Sequence, residues 1–324
     1  MTPFGFHTTS EEVVDAFANQ IEGRTFLITG PSQASIGAHA AVALASKGAG
    51  HLILVARNPA KVQPVIDKIR ETYSNVSLTF IQCDLTDYDA VRRAADQINS
   101  NASFAKIDVV INNAGVMFVK DFTLDKQGNE LTFSANHLGH FLLTNLILPK
   151  ILAAGPGARI VNVSSDAHQL SNVWFDDPTF SLGEKYDGWT AYGQSKTANI
   201  HFTIELARRL GERGLYSFAV HPGVIFNTGL AGHISDEDWT STDLRELGRR
   251  NTGEAFDSVG PRKSTTQGAA SLLAAALGFA SKESNGAYIF DCQVGEARAF
   301  ATDRENARKL WALSEELLGQ GFNP

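Results

Sequence analysis

The apolar residues along the first third of the chain follow a regular pattern. Four short runs are continuously apolar, and the segments between them carry apolar residues at helical spacing: the runs are RTFLITG, HLILVAR, LTFIQCD and IDVVINNAG, and the segments are 39–46, 60–73 and 88–98. A continuously apolar run is typical of a parallel strand that helices cover on both faces. The pattern therefore predicts strands and helices in alternation.

The second half of the chain keeps this rhythm. We predict a helix over about 130–152, strands at ARIVNVSS, YSFAVHPG and GAYIF, and a helix over about 189–213. Because no linker, low-complexity tract or repeat marks a boundary, we expect a single α/β domain over 1–324, with a doubly wound, mostly parallel sheet of about seven strands flanked by helices. Its expected parts are an N-terminal helical extension (1–22, with Ser10 as helix N-cap), a core (24–295), an insertion (229–263) and a C-terminal helix (296–324).

Composition narrows the possible partners. The 324 residues are 43% hydrophobic and 19% charged, as in ordinary globular proteins, and the net charge of −7 provides no basic surface for nucleic acid or anionic lipid. Cys83 and Cys292 are too few for a disulfide framework and lie in no metal-binding motif. The sequence shows no signal-peptide pattern or membrane span, so we expect a cytoplasmic protein with no structural metal.

The first strand ends in the sequence TGPSQASIG, a loop of small residues that opens into a helix. Backbone N–H groups at such a helix N-terminus bind the pyrophosphate of a dinucleotide in Rossmann folds. The loop residues expected to contact a cofactor are Gly30, Ser32, Ser35 and Ile36. The spacing GxGxxG is not met, so an ordinary strand-to-helix turn is the alternative interpretation of this segment alone.

The ends of the second and third strands indicate which dinucleotide binds. Arg57, followed by Asn58, stands where an acidic residue would hold the ribose 2′-hydroxyl of NAD, and a cation there favours the 2′-phosphate of NADP. The alternative is a solvated surface arginine. Asp84, followed by Leu85, is predicted either to bind the adenine amino group or to cap the next helix.

Together these motifs resemble the short-chain dehydrogenase/reductase superfamily. TGPSQASIG is similar to the family's TGxxxGxG loop, and five further elements follow in family order over residues 24–295: the NNAG motif with Asn113, Ala114 and Gly115, Asn136 in ANHLGHF, Ser165 in NVSS, Tyr192 and Lys196 in YxxxK, and Pro222-Gly223. ARN after the second strand, ANHLGHFLLT and the long gap between Ser165 and Tyr192 resemble the retinol-dehydrogenase and WW-domain-oxidoreductase-like branch, with a fungal-type glycine loop. That loop departs from the family by one extra residue and by Ser35 at the middle glycine, where the side chain either narrows the pyrophosphate approach or donates a hydrogen bond to phosphate.

Tyr192 and Lys196 are four residues apart on a predicted helix, so their side chains share a face. An ammonium group beside a phenol, together with an oxidised nicotinamide, favours the phenolate, and we therefore expect the pKa of Tyr192 to fall from its usual value of about 10 toward neutrality. This pairing points to Tyr192 as the acid/base group.

The resemblance implies further roles. Lys196 would hold the nicotinamide ribose, Ser165 rather than the oppositely directed Ser164 would bind the substrate oxygen, and Asn136 would bend its helix to hold a proton-relay water. The resemblance also implies cofactor contacts by Pro222, Gly223 and Ile225, with Asn227 or Thr228 near the phosphates.

Other side chains suggest weaker hypotheses. A metal site or hydrolase triad built on His137, His140, His168 and His221 is disfavoured, since no HxxxH pair has carboxylate support and GxSxG is absent around Ser165. Substrate specificity is expected in residues 167–188, 229–263 and 305–318. Their aromatic residues either form an apolar pocket wall or pack the loops onto the core, and they are Trp174, Phe175, Phe180 and Trp239.

These observations lead to one functional prediction and its alternatives. We predict an NADP-dependent oxidoreductase, with NAD less favoured, that interconverts a carbonyl and an alcohol on a moderately apolar small molecule. Reduction is the expected direction because cells usually keep NADP reduced. The alternatives are an NADP(H)-binding regulatory or interaction protein, or an epimerase, dehydratase or cyclase on the same fold. Homo-oligomers through the helices of Asn136 and Tyr192 remain an open option.

Overall fold

An eight-stranded sheet runs through the centre of the molecule, seen in a computed structural model that describes residues 4–226, 228–257 and 261–324. The strand order is β3-β2-β1-β4-β5-β6-β7-β8, and every neighbouring pair is parallel except the last, which is antiparallel. The strands are β1 (Thr25–Thr29), β2 (His51–Ala56), β3 (Ser77–Gln82), β4 (Val109–Asn112), β5 (Arg159–Val163), β6 (Tyr216–His221), β7 (Tyr288–Phe290) and β8 (Gln293–Gly295). The predicted doubly wound, mostly parallel sheet is confirmed.

Helices cover both faces of this sheet. They are α1 (Ser10–Ala16), α2 (Ile36–Ser46), α3 (Pro59–Thr72), α4 (Tyr88–Ser100), α5 (Leu131–Phe133), α6 (Gly139–Leu146), α7 (Leu148–Leu152), α8 (Gly188–Leu210), α9 (Asp236–Thr240), α10 (Leu244–Thr252), α11 (Thr265–Leu277), α12 (Ala299–Thr302) and α13 (Arg304–Leu318). Within the described ranges, none of them has the length and hydrophobicity needed to cross a bilayer.

The two faces of the sheet explain why its strands are apolar throughout. Phe26 and Ile28 of β1 pack against α2, α3 and α11 on one face, while Leu27, between them, packs against α4, α6 and α8 on the other. Successive side chains of a strand point to opposite faces, so a strand buried on both sides needs apolar residues at every position.

Two local features differ from the sequence prediction. Thr9, not Ser10, caps α1: its hydroxyl accepts from the Glu12 amide, and the Glu12 carboxylate accepts from the Thr9 amide. Ser10 is buried instead, with its hydroxyl 2.7 Å from that of Thr266 on α11. The capping box, in which Glu12 stands three residues after Thr9, decides between the two neighbouring hydroxyl residues.

The predicted helix over 130–152 is interrupted twice. Residues Ser134–Leu138 form a single π-helical turn between α5 and α6, and a break at Ile147 separates α6 from α7. A π-turn inside a helix is rare and often marks a functional site. Asn136 lies in the middle of this turn.

Residues from the insertion (229–263) lie beside the carboxyl ends of the strands. Asp238 of α9 accepts a hydrogen bond from Lys120 (2.9 Å), and Arg298 is 2.8 Å from both Glu254 and Asp257. At the far end of the insertion, the buried Lys263 side chain forms an ion pair with Asp291 in the β7–β8 turn. Exposed ion pairs and the buried side chain of Leu247 thus hold the middle of the segment, and a buried ion pair anchors its end.

Candidate active site

A cavity of about 860 Å³ opens at the carboxyl ends of the strands. The predicted cofactor and catalytic residues line it, with the exception of Asn136. Those at its wall are Gly30, Ser32, Ser35, Ile36, Arg57, Asn58, Asp84, Leu85, Asn113, Ala114, Gly115, Ser165, Tyr192, Lys196, Pro222, Gly223, Ile225 and Thr228. Asn227 lies outside the described residues. The fold thus brings residues separated by almost 200 positions to one cleft, at the sheet edge where open α/β sheets bind ligands.

The glycine loop reaches this cleft in an unexpected conformation. Gly30 has φ of +68°, and a Cβ on it would lie 2.8 Å from the Cα of Ala114, so glycine is needed there. Ala34, the residue before Ser35, takes a second left-handed conformation at φ +64°. Ser35 itself has φ of −82° and caps α2, accepting from the Ala38 amide and donating to the Gly30 carbonyl at 3.1 Å each. The backbone at position 35 therefore accommodates a side chain, and in this structure the Ser35 hydroxyl proton is donated to the Gly30 carbonyl.

The ends of β2 and β3 place a cation at one end of the cavity. The Arg57 side chain is 75% exposed, and its Nη1 lies 3.7 Å from Asp84 Oδ2. Asp84 also accepts from the amide and hydroxyl of Thr86. The alternative that Asp84 caps the next helix is wrong, because Asp87 caps α4 by accepting from the Ala90 amide.

Asn58 and Asn113 mainly hold the loops in place. Asn58 caps α3 by accepting from the Ala60 amide (3.0 Å). The Asn113 amide group donates to the carbonyls of Thr29 (2.8 Å) and Gly30 (3.2 Å), which joins the end of β4 to the glycine loop. We did not single out Thr29 from the sequence, although the threonine of the TG pair was a signal that could have found it.

Asn136 is fully buried behind the cavity. Its Oδ1 accepts from the Val116 amide (2.8 Å), and its Nδ2 donates to the Val116 carbonyl and to Ser195 Oγ, both at 2.9 Å. The Ser195 hydroxyl in turn donates to the Tyr192 carbonyl at 2.7 Å. The Asn136 side chain thus links the loop after NNAG to the helix that carries Tyr192.

Tyr192 and Lys196 share one buried face of α8. Lys196 Nζ lies 5.4 Å from the centroid of the Tyr192 ring and donates to the Val163 carbonyl at 3.1 Å. Ser164 donates to the Lys196 carbonyl, while Ser165, the next residue, accepts from the Ala167 amide (3.1 Å) and interacts with the Tyr192 phenol. The structure therefore brings Ser165, Tyr192 and Lys196 together at the cavity wall.

The electrostatics of this group differ from the sequence expectation. Burial raises the pKa of Tyr192 to about 12, with the Ser165 hydrogen bond opposing the rise, and burial lowers the pKa of Lys196 to about 8. Loss of water disfavours both the phenolate and the ammonium. The expected fall in the pKa of Tyr192 requires both Lys196 and an oxidised nicotinamide and stays a prediction, whereas in the protein alone desolvation dominates.

Aromatic and aliphatic side chains line the opposite end of the cavity. Trp239 packs against Trp189 (centroids 4.9 Å apart) and Phe226 (5.3 Å), and Leu244 and Phe256 complete this wall. Among the four aromatic candidates from the sequence, Trp239 lines the cavity. The other three pack elsewhere: Trp174 against Phe180, and Phe175 against His201.

The histidines of the disfavoured metal-site hypothesis lie in separate hydrogen-bonded surroundings. Among the residues that the structure describes, no group of three or more His, Cys, Asp or Glu side chains is arranged to hold a metal ion. His221 Nε2 instead lies 3.0 Å from Asp166 Oδ2, and His137 Nε2 lies 2.8 Å from Ser314 Oγ.

Comparison with known proteins assigns the chain to a family. A family model described as short chain dehydrogenase matches residues 24–176. Retinol dehydrogenase 12 of Mus musculus is 35% identical over 300 residues, covering 93% of this chain and 88% of the relative. The chain belongs to the short chain dehydrogenase family. It falls in the retinol-dehydrogenase-like branch, as its motifs suggested, and is an oxidoreductase acting on CH–OH or C=O groups.

Two further matches support the assignment of the chain to the short chain dehydrogenase family. Short-chain dehydrogenase/reductase prx1 of Penicillium rubens is 33% identical over 315 residues, covering 93% of this chain and 86% of the relative. The crystal structure of a short chain dehydrogenase from Burkholderia cenocepacia J2315, in complex with NADP, superposes with a TM-score of 0.61 at 25% identity, covering 84% of this chain and 97% of that one.

Proposed function

We propose that this short chain dehydrogenase uses NADPH to reduce the carbonyl group of a moderately apolar small molecule. The observation that carries the proposal is the shared cavity, which has Arg57 at one end, an aromatic wall at the other, and Ser165, Tyr192 and Lys196 between them. A carbonyl bound against the aromatic wall would meet a hydroxyl and a phenol of suitable chemistry.

The residues at the cofactor end fit NADP(H). Gly30 lets the glycine loop approach Ala114 closely, and in the first turn of α2 the amides of Ile36 and Gly37 have no intrahelical partner and would bind a pyrophosphate, whereas Ser35 caps that of Ala38. The exposed guanidinium of Arg57 matches the 2′-phosphate in charge and geometry, and no acidic residue takes its place after β2. The NADP complex of the Burkholderia relative supports the same cofactor.

The protein's own groups would supply the proton chemistry. NADPH, when bound, supplies the hydride for the carbonyl carbon. Tyr192 donates its phenolic proton to the carbonyl oxygen, and Ser165 donates a hydrogen bond to the same oxygen, stabilising the negative charge that develops there. The raised pKa keeps the phenol protonated at neutral pH, which favours reduction over alcohol oxidation.

Lys196 and Asn136 would support Tyr192. Lys196 lies on the same helix face, where its amine is close enough to influence the phenol and to hold a ribose hydroxyl. Asn136 fixes the Val116 loop and, through Ser195, the backbone of Tyr192. We assign these four residues as the catalytic tetrad, with Asn136 acting through the π-turn rather than from the cavity wall.

Replacing Tyr192 by phenylalanine tests this assignment. With NADPH and a panel of apolar aldehydes and ketones, we expect Tyr192→Phe to lower kcat about 100-fold to 10,000-fold, the usual contribution of a positioned general acid. Fluorescence titration should show that wild type and variant bind NADPH equally, and that wild type binds NADH more weakly.

Tyr186→Phe is the matched control, since its hydroxyl donates to the Val119 carbonyl and does not line the cavity. Full turnover by Tyr192→Phe would contradict the proposal. NADPH binding by the wild type with no turnover on the whole panel would favour a regulatory cofactor-binding protein instead.

A further inference from the structure

The imidazole of His140 is buried between the end of β1 and the π-turn. Its Nε2 lies 2.8 Å from Thr29 Oγ1, and its Nδ1 lies 3.1 Å from the backbone oxygen of Asn136. One side chain therefore contacts both the first residue of the TG motif and the carbonyl at the centre of the π-turn.

The hydrogen-bond partners of Thr29 fix the direction of this link. Thr29 Oγ1 accepts from the backbone amides of Asn113 and Ala114, each at 2.9 Å. A hydroxyl has one proton and two lone pairs, so Thr29 has its proton left to donate to His140 Nε2. The imidazole proton then sits on Nδ1 and is donated to the Asn136 carbonyl. Burial lowers the pKa of His140 to about 4, so the ring stays neutral near pH 7, as this arrangement requires.

The same chain continues to the helix of Tyr192. The Asn136 side chain donates to Ser195 Oγ, and the Ser195 hydroxyl donates to the Tyr192 carbonyl. Two sets of hydrogen bonds, joined covalently at Asn136 by its own backbone and side chain, thus connect the amides of the NNAG motif to the backbone of the proposed acid, and His140 contributes the link to the Asn136 backbone.

We propose that His140 is a positioning residue that couples the cofactor-binding loop to the π-turn of Asn136. The imidazole takes one of the two lone pairs of the Asn136 carbonyl and leaves the other for a further donor. This inference rests on the proposed function, because the turn matters for turnover only if Tyr192 and Lys196 perform the proton transfer.

His137 provides a matched control for His140. It lies within the π-turn that His140 contacts, is fully buried, and has its pKa lowered to about 3 by burial. Its Nε2 hydrogen-bonds Ser314 on α13, away from the cavity. The two histidines share burial and charge state but differ in what they connect.

Three substitutions of His140 separate its two contacts. His140→Phe removes both contacts, and we expect kcat to fall about tenfold to 100-fold, the scale of a small misplacement of reacting groups, with the carbonyl KM changed less than about twofold. In His140→Asn, the amide nitrogen can replace Nδ1, so kcat should recover while NADPH binding weakens. In His140→Gln, the side-chain oxygen can replace Nε2, so NADPH binding should recover while kcat stays low.

A second readout does not depend on turnover. Without cofactor, hydrogen exchange followed by NMR should be faster at the Asn113, Ala114 and Val116 amides in His140→Phe than in wild type. His137→Phe should lower the melting temperature but leave kcat, NADPH affinity and these exchange rates unchanged.

The results of these experiments distinguish a failure of the His140 link from a failure of the proposed function. Wild-type kcat and exchange rates in His140→Phe would overturn the inference, and so would equal losses of activity in the His140 and His137 variants. If His140→Phe does not fold, Thr29→Val, which replaces the hydroxyl with a methyl group, should give faster exchange at the Val116 amide, which Thr29 does not contact and to which it is linked through His140 and Asn136; an unchanged Val116 rate would overturn the inference. A wild type with no carbonyl reduction would refute the proposed function, whereas the exchange comparison would still test the His140 link.

Discussion

The two ends of the cavity are built in different ways. At the cofactor end, strand ends and backbone groups make the surface, and Asn113 and Thr29 fix them through hydrogen bonds of 2.8–2.9 Å. At the apolar end, side chains such as Trp239 and Leu244 come from the insertion, which exposed ion pairs such as Lys120–Asp238 help to hold. Exposed ion pairs contribute little to stability. The comparison shows one end fixed by backbone geometry and the other defined by replaceable side chains.

Acid should affect the frame around the cofactor end and the catalytic helix most strongly. Burial lowers the pKa values of four histidines there, to about 3 for His137 and about 4 for His140, His168 and His201. The unfolded chain takes up protons near pH 6.5, so the stability from keeping these rings neutral is fully present above that pH and is lost as the pH falls toward 4. Each ring contributes about 1.4 kcal/mol per pH unit in that window.

We therefore expect the melting temperature to fall steeply between pH 6.5 and pH 5, measured by thermal unfolding without cofactor. The insertion carries only His233, which is exposed, so His233→Asn should leave this dependence unchanged. A melting temperature that stays level over this range would contradict the inference that the four buried histidines are neutral in the folded protein.

A methyl group at Gly30 should disrupt the cofactor end specifically. Gly30→Ala combines a left-handed backbone with a Cβ only 2.8 Å from the Ala114 backbone, so we expect about 2–4 kcal/mol of destabilisation and NADPH binding weakened at least tenfold. Urea unfolding and fluorescence titration would measure the two effects.

Gly155 is the matched control, because it has φ of +76° but nothing within 4 Å of an added Cβ. Gly155→Ala should cost about 1 kcal/mol from backbone strain alone and leave NADPH binding unchanged. Equal effects of the two substitutions would show that the close approach of Gly30 to Ala114 contributes neither to stability nor to NADPH binding.

Truncating the aromatic wall should change substrate binding alone. Trp239→Ala removes the ring that packs on Trp189 and Phe226, and we expect the KM for an apolar carbonyl to rise about tenfold, with kcat and NADPH affinity within about twofold of wild type. Steady-state kinetics would measure this.

Trp174→Phe is the control for Trp239→Ala, because Trp174 packs against Phe180 outside the cavity. A loss of NADPH binding in Trp239→Ala would show that the two ends of the cavity are not independent.

The sequence predicted the cofactor end better than the apolar end for a physical reason. Strand ends and tight turns require particular residues, such as glycine at position 30, so local patterns locate them. Trp239 stands in a short helix of the polar insertion and Trp174 in an irregular segment, and only the packing of the whole fold decides which one faces the cavity. The rise in the pKa of Tyr192 in the protein alone could not be read from the sequence for a related reason, since burial is a property of the folded molecule and not of the Tyr192–Lys196 spacing.

Short elements were also beyond prediction. β8 has three residues, and the turn before it places Asp291 and Cys292 at φ +51° and +60° without a glycine or asparagine to signal the hairpin. Thr9 and Ser10 are chemically equivalent caps until the reach of Glu12 is considered. His140 was visible in ANHLGHF, but its contact with Thr29 spans 111 positions in the sequence.

The Lys263–Asp291 pair has an evolutionary consequence. Because a buried contact in the hairpin fixes the end of the insertion, we expect substitutions at exposed positions of α9 and α10 to leave β5 and α8, which carry the reactive groups, undisturbed. A few substitutions at exposed positions of the insertion can therefore adapt a descendant of this protein to new substrates, while the residues that bind the nucleotide are inherited unchanged.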